Sequence, residues 1–419
     1  MSKINKRFPA ALIAAAFAAS IPLPAHGQST LSMNEALAVA LGDQPATEAF
    51  RREAEASEQA AAAARTLPDP QLTVGVVNFP VNGPGAFRPA REEMTMYTIG
   101  VMREQVRRSR REAEASRLHA EAVVSRAEAT AEERRIQREV MVAWIDAVEA
   151  QAKQRLLDRL IADLKAGRAV IEAGIPTGSS TPALALEAQA EIALAEAVQT
   201  EARGAEARAR AELARWIGPA ARRPLPDTVP ALAPPIVAGD APILGNHPAV
   251  RVAEAQERAA QRQVDVKRGD RRPNLTWSAM YGWRPEYGDM VTVQVTVPLQ
   301  INKGRLQNRR IAEAALLEAA ARLRTENARR ELGGAYGAAL ADYKSADARL
   351  SILVNQAIPA LEASFQLAEA RYAAGQGTLE LPLTIVRRYV ETTVQSIEER
   401  AKRARAAAEL IYLAQDVIR

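Results

Sequence analysis

The chemistry open to this chain is narrow. Past residue 27 it holds two histidines, His119 and His247, and it has no cysteine anywhere. Neither histidine has a second ligand at metal-binding spacing. Without thiols there is no thiolate metal site, no disulfide and no lipid anchor on an N-terminal Cys. Ser109, Ser116 and Ser125 stand without a base in any recognisable motif. Gly333, Gly334 and Gly337 lie inside a helical pattern with no strand before them, so they are no phosphate loop; close helix contact is their expected role. The densest functional groups are cations. Arg103, Arg107, Arg108, Arg110 and Arg111 follow one strand-like stretch, and Lys303, Arg305, Arg309 and Arg310 follow another. Cations at a helix start oppose the helix dipole and call for compensation. Anionic lipid headgroups are one source, and Glu104, Glu112 and Glu114 are another. No catalytic residue, cofactor or metal ligand is expected, so the residues point to a non-enzyme.

The elements that hold these groups are few and long. Four stretches alternate with period two: "QLTVGVV", "MYTIGV", "NLTWSAMYGW" and "MVTVQVTV". They place Leu72, Val74, Val76, Tyr97, Ile99, Val101, Leu275, Trp277, Tyr281, Trp283, Val291, Val293, Val295 and Val297 on one face. The opposite face is small and polar. Strands are expected over 71–77, 94–102, 274–283 and 290–298. Between and after them run proline-poor, Ala-, Arg- and Glu-rich helix patterns, expected over 104–173, 182–217, 304–374 and 383–419. The first would span roughly 100 Å at 1.5 Å per residue. Ala143, Ala150, Leu157, Leu164 and Ile171 recur every seven residues, a coiled-coil seam of small side chains. Leu350, Val354, Ala357, Leu361, Phe365, Ala368 and Tyr372 form a second stripe around Pro359.

Composition agrees with such helices. Only 4% of the 419 residues are aromatic, and a net charge of +5 is spread as interleaved signs, which excludes a nucleic-acid surface. Lys3, Lys6, Arg7, an apolar stretch and "PAHGQ" read as an export signal over 1–27. The alternative is a short membrane anchor, although the apolar run falls below the roughly 20 residues of a spanning helix. The chain also repeats itself. Pro45 pairs with Pro248 and Pro70 with Pro273, both 203 residues apart. Such an offset indicates duplication, with repeats over 28–217 and 243–419 and a proline-rich linker over 218–242.

A half-buried soluble sheet would give the same strand alternation, making the chain an exported periplasmic coiled-coil scaffold. Three features favour a membrane instead: export, aromatics near the strand ends, and helices far too long to cover a small sheet. Strands facing lipid must close into a barrel, and four cannot close. Two chains would give a filled eight-stranded barrel, whereas three give twelve strands and room for a lumen.

The export signal, the duplicated helix–hairpin–helix–helix unit and the paired "NxPA…P" pattern together resemble the TolC family of outer-membrane efflux channels. The words "NFPVNGPGAF" and "EEMTMYTIGVMRE" look most like its CzcC/CusC-type branch, which serves heavy-metal pumps of the RND class. The resemblance covers essentially the whole mature chain. It implies a mainly α fold with membrane β: a homotrimer, a 12-stranded barrel in the outer membrane of a Gram-negative bacterium, and a helical periplasmic tunnel. The linker would then lie at the tunnel's equator. It also implies a periplasmic adaptor and an inner-membrane RND pump as partners, with heavy-metal cations as cargo. Drugs or secreted proteins are the alternative cargo. The adaptor-docking tips would be Ala173, Gly174, Ile175 and Thr177, and Ala374, Gly375, Gln376, Gly377 and Thr378, with a left-handed Gly in each turn. In TolC, two aspartates six and nine residues past the tip Gly ring the aperture. Here those positions are Leu381 and Thr384, and Glu380 is the nearest carboxylate, so that acidic gate is absent. Arg107, Arg108, Arg110, Arg111, Lys303 and Arg305 would form a collar where barrel meets tunnel.

Overall fold

In the computed structural model the described residues are 30–414, other than 43, 177, 179, 235–245 and 375–379. The export signal, Thr177 and the four tip residues Gly375, Gln376, Gly377 and Thr378 lie outside them. In chain order the elements are α1 (Met33–Gly42), α2 (Pro45–Ala64), β1 (Gln71–Val77), β2 (Met96–Gln105), α3 (Arg108–Gly174), α4 (Pro182–Ile217), α5 (Pro248–Gly269), β3 (Leu275–Trp283), β4 (Met290–Thr296), α6 (Gln307–Ile352), α7 (Ile358–Ala373) and α8 (Glu380–Ala414). A π-helical turn, Leu353–Ala357, joins α6 to α7. Pro359 is the second residue after it. A proline cannot donate to the carbonyl four residues back and its ring crowds that carbonyl, so widening the preceding turn gives it room. The expected single helix over 304–374 is therefore two helices around a wide turn.

Proline opens several of these helices because the N1 position needs no N–H donor. Pro45 starts α2, Pro182 starts α4 and Pro248 starts α5. Thr181 caps α4 by accepting from the Leu184 amide at 3.3 Å. His247 caps α5, its Nδ1 accepting from the Ala249 amide at 3.2 Å. That gives one of the two histidines past residue 27 a structural task at a helix start.

The 67 residues of α3 span about 100 Å. Its period-seven seam is longer than expected. Ala115, Ala122, Ala129, Ile136, Ala143, Ala150, Leu157 and Ile171 are all buried, and Leu164 is half-buried. A strict seven-residue repeat underwinds against 3.6 residues per turn and imposes a left-handed supercoil. Neighbouring helices α2, α4, α5 and α8 pack along it. The stripe around Pro359 is only partly a packing surface. Leu350 and Ala368 are buried, but Val354 is exposed beside the π turn.

The widest part of the core lies at mid-length of α3. Ile136, Val140, Trp144, Ile145 and Val148 meet Leu31 and Ala36 from the N-terminal side, Leu213 and Ile217 from α4, and Ala401, Ala404 and Ala408 from α8. Trp144 is 1% exposed and donates from Nε1 to the Leu31 carbonyl at 3.1 Å. The proline-rich stretch after α4 is part of this core. Ala221, Leu225 and Val229 are buried in it, and Gln151 donates from Nε2 to the Leu225 carbonyl at 3.2 Å.

The four strands form one antiparallel sheet in the order β1-β2-β3-β4. The order helix, strand pair, long helix, second long helix thus occurs twice. Strand β2 differs from expectation at both ends: it starts at Met96 and runs to Gln105, so Arg103 and Glu104 belong to the strand and α3 begins four residues later than 104. Strand β3 starts at Leu275 and β4 stops at Thr296, each within a residue or two of expectation.

Candidate functional site: the exposed sheet and its junction with the helices

The register brings the apolar residues of all four strands into rows. Leu72 faces Val101, which faces Ala279, which faces Val293. The next row is Val74, Ile99, Tyr281 and Val291, and beyond it Val76, Tyr97 and Trp283. Tyr97 and Trp283 pack with ring centroids 5.5 Å apart. Among the described residues nothing covers this face: Val74 is 70% exposed, Val291 and Val293 72%. At its helix-side end the last row pairs Arg103 with half-buried Trp277, which faces Val295.

The opposite face carries Thr73, Gly75, Thr98, Gly100, Ser278, Gly282, Thr292 and Gln294. Two of these glycines are close-approach positions. A Cβ on Gly100 would sit 2.9 Å from the Ala279 carbonyl, and one on Gly282 would sit 2.9 Å from the Met96 sulfur. Thr98, between them, is buried and donates to the Gly75 carbonyl at 3.2 Å. Strands β1 and β4 are the sheet's edges, and each pairs on one side only among the described residues. Unpaired edges flanked by a bare apolar face cannot stand alone in lipid.

All four helix-linked strand ends lie at one end of the sheet. Gln71 stands opposite Met102, Gln105 opposite Leu275, and Thr276 opposite Thr296. The other end carries the two hairpin loops. In the longer loop Asn78 adopts a left-handed φ of 56°, and its side chain donates to the Met94 carbonyl at 3.1 Å.

The arginine collar does something its sequence did not reveal. Arg103 donates from Nε to the Pro68 carbonyl at 3.0 Å, and Arg107 from Nε to the Pro273 carbonyl at 2.9 Å. Arg111 donates to the carbonyl of Arg65, the residue that caps the C-terminus of α2. Arg110 pairs with Asp270, which ends α5, at 3.2 Å. The start of α3 thus lies against the C-terminal ends of α2 and α5. Their negative dipole ends and free carbonyls supply the compensation these cations require. Of the expected acidic partners, only Glu112 pairs within the cluster, with Arg108 at 2.7 Å. Glu104 instead accepts from Asn274 at 2.8 Å, and Glu114 binds Arg117. Lys303 and Arg305 are exposed in the turn before α6 and form no ion pair with the described residues.

At the far end, Ala173 and Gly174 close α3, and Ile175 remains right-handed with φ −62°. The left-handed position is Gly178, at φ +74°, four residues beyond the expected Gly174. Either glycine has a spacing that fits a short turn, and the chain uses Gly178 for it. Ala374 is exposed after α7, Glu380 and Leu381 begin α8, and Thr384 is exposed one turn further on. Gly334 and Gly337 show no close helix contact; an added Cβ at either would meet nothing within 4 Å. That overturns the packing role expected of them in the chain by itself. Among the described residues no helix is long and apolar enough to cross a membrane, and no group of three His, Cys, Asp or Glu side chains is placed to hold a metal.

Residues 242–414 match the family described as outer membrane efflux protein. Three solved structures superpose on nearly the whole chain. VceC from Vibrio cholerae, an outer membrane protein, gives a TM-score of 0.72 at 16% identity, covering 91% of this chain and 95% of its own. CusC gives 0.76 at 16% identity, covering 93% of each chain. The outer-membrane channel OprN gives 0.75 at 18% identity, covering 91% of this chain and 89% of its own. The fold is that of these solved outer-membrane proteins. No curated protein matches by sequence. In this chain β2 runs, after two residues, into α3, a helix many times its length.

Proposed function

We propose that three copies of this chain form an outer-membrane channel, the passive exit duct of a tripartite efflux system. The observation that carries this reading is the four-stranded sheet with a bare apolar face and two unpaired edges, all its helix-linked ends on one side. Three such sheets, joined β4 to β1, make twelve strands with no edge, and the apolar face meets lipid. The helices continue the wall through the periplasm. The tips around Gly174 and Ala374 meet an adaptor, which opens the duct toward an inner-membrane RND pump. The collar of Arg107, Arg108, Arg110, Arg111, Lys303 and Arg305 sits at the inner-leaflet surface, where Lys303 and Arg305 remain open to anionic headgroups. Heavy-metal cations are the proposed cargo, supported by the resemblance of the first hairpin to the CzcC/CusC-type branch.

Membrane fractionation followed by detergent extraction tests the channel. The expected result is a heat-modifiable trimer in the outer membrane that conducts in planar bilayers. Recovery in the soluble periplasm without detergent would overturn the reading in favour of a scaffold. Deleting the gene and comparing sensitivity to zinc, cobalt, cadmium, copper and silver with sensitivity to dyes and antibiotics tests the cargo. Hypersensitivity confined to drugs would overturn the metal assignment.

A further inference from the structure

The duplication places the long helices of the two repeats in different surroundings. Arg110 and Arg111 are the third and fourth residues of α3, and Arg309 and Arg310 are the third and fourth of α6, 199 residues on. The same offset carries the buried seam residues Ala115 and Ala122 onto Ala314 and Ala321, which are buried as well. Each helix packs on the first helix of its own repeat at matching positions. Arg126 of α3 donates to Glu58 of α2 at 2.8 Å, and Thr325 of α6 donates to Glu257 of α5 at 3.1 Å. The other flank of α3 lies on α5, where Arg110 pairs with Asp270 and Glu128 accepts from Gln256 at 3.5 Å. That flank, Arg110, Arg117, Val124 and Glu128, is half-buried throughout. Its counterpart on α6 is Arg309, Leu316, Leu323 and Asn327, and all four are exposed, Leu316 at 72% and Leu323 at 67%. Leucines at two consecutive heptad positions on a bare flank form a packing surface without its partner. Arg309 forms no ion pair with the described residues.

The first helices of the repeats, α2 and α5, are offset by 203 residues. With both offsets applied, each contact of α3 with α5 becomes a contact of α6 with a second α2. Glu128 with Gln256 becomes Asn327 with Glu53, so amide and carboxylate exchange places and stay complementary. Arg110 with Asp270 becomes Arg309 with Leu67, two residues from Asp69, the carboxylate of the link from α2 to β1. Glu53 and Asp69 are exposed and form no ion pair with the described residues. Arg51 and Glu58 mark the face of α2 turned to α3. Ala49, Ala56 and Ala60 lie on its other side, exposed and small enough to admit leucines.

We infer that the bare flank of α6 docks on the outer face of α2 in a second copy of this chain. Asn327 donates to the partner subunit's Glu53, and Arg309 pairs with the partner subunit's Asp69. This docking rests on the three-copy reading above and adds to it the helical contact and its polar pairs. Its direction agrees with the sheet: β4 leads into α6 and α2 leads into β1, so the docking helices continue the two open sheet edges. Such a head-to-tail contact leaves no edge free once it closes into a ring.

The chain has no cysteine, so introduced thiols report only on themselves. Glu53→Cys and Asn327→Cys in one full-length chain, oxidised in membranes and run on a denaturing gel, are expected to give covalent dimer and trimer. Glu53→Cys with Arg322→Cys, about 140° around α6 from Asn327, is expected to stay monomeric on the gel. Arg309→Glu is expected to lower the temperature at which the trimer dissociates by about 2–4 °C, and Asp69→Arg in the same chain to restore it. Should the cysteine pair fail to assemble, Asn327→Asp is expected to lower that temperature and Asn327→Gln to keep it. A conducting trimer that cross-links no better than the Arg322→Cys control, that Asp69→Arg does not rescue, or that is indifferent to Asn327→Asp would overturn the docking and leave the channel standing. Protein that cross-links through positions 53 and 327 into trimers yet neither enters the outer membrane nor conducts would overturn the channel and leave the docking.

Discussion

Arg111, in the first turn of α3, donates to the main-chain carbonyl of Arg65, the residue that caps the C-terminus of α2. A cation that would destabilise its own helix start thereby stabilises a neighbour's end. Arg111→Gln is expected to lower the stability of the solubilised protein by about 1–3 kcal/mol, because a carbonyl at a helix end loses a charged donor. Arg108→Gln is the comparison, since its exposed pair with Glu112 contributes at most about 1 kcal/mol. Denaturant unfolding in micelles followed by circular dichroism checks both, and equal losses would contradict the junction role.

Gly100 and Gly75 face the same side of the sheet but differ in the space around them. Gly100→Ala puts a methyl 2.9 Å from the Ala279 carbonyl and forces β2 and β3 apart. A loss of about 1–3 kcal/mol is expected from such overpacking. Gly75→Ala meets only the Thr98 hydroxyl, at 3.9 Å, and is expected to change stability by less than about 1 kcal/mol. The temperature at which trimer dissociates on a gel reads the difference.

Val293 and Thr292 are sequence neighbours on opposite faces. If the apolar face meets lipid, Val293→Arg costs about 2–4 kcal/mol of insertion near the bilayer midplane, and Thr292→Arg on the polar face costs little. Outer-membrane yield should fall for the first and hold for the second. A soluble sheet exposing both faces to water would tolerate both.

Asp146 on α3 pairs with Arg405 on α8 at 2.6 Å, yet burial outweighs the pairing and raises its pKa above the usual 3.8. Its charged form is therefore less favoured folded than unfolded. The stability it adds is full below pH 3.8 and is lost as pH rises through the raised folded value. Asp146→Asn removes that titration. Its melting temperature relative to wild type is expected to climb as pH rises from about 3 to about 6. Glu149 remains to pair Arg405, at 2.7 Å. A difference that stays flat or falls would contradict the burial argument.

Much of the fold was legible because its signals are periodic and local. Period two in "QLTVGVV" marked β1 to the residue, and the Ala-, Arg- and Glu-rich run over 182–217 marked α4. Local signals failed where two spacings fit equally. Gly178 rather than Gly174 takes the left-handed turn, and Arg103 stayed in the strand because Trp277 stands opposite it. The proline-rich segment after α4 read as a linker, but Leu225 and Val229 are core residues; apolar side chains between prolines carry no period to reveal burial.

By itself the sequence determined which side chains of each strand share a face and where the long helical runs lie, because strand and helix geometry convert spacing directly into direction. It also determined that four strands are too few to close. Only the tertiary structure decided which strand neighbours which, and at what register. That register laid Met280 against Gly100 and Met290 against Gly282, and it brought the ends of α2 and α5 beside the arginines of α3. These partners lie up to about two hundred residues apart along the chain. Their meeting depends on strand pairing and helix packing summed over the whole molecule, which no local spacing encodes.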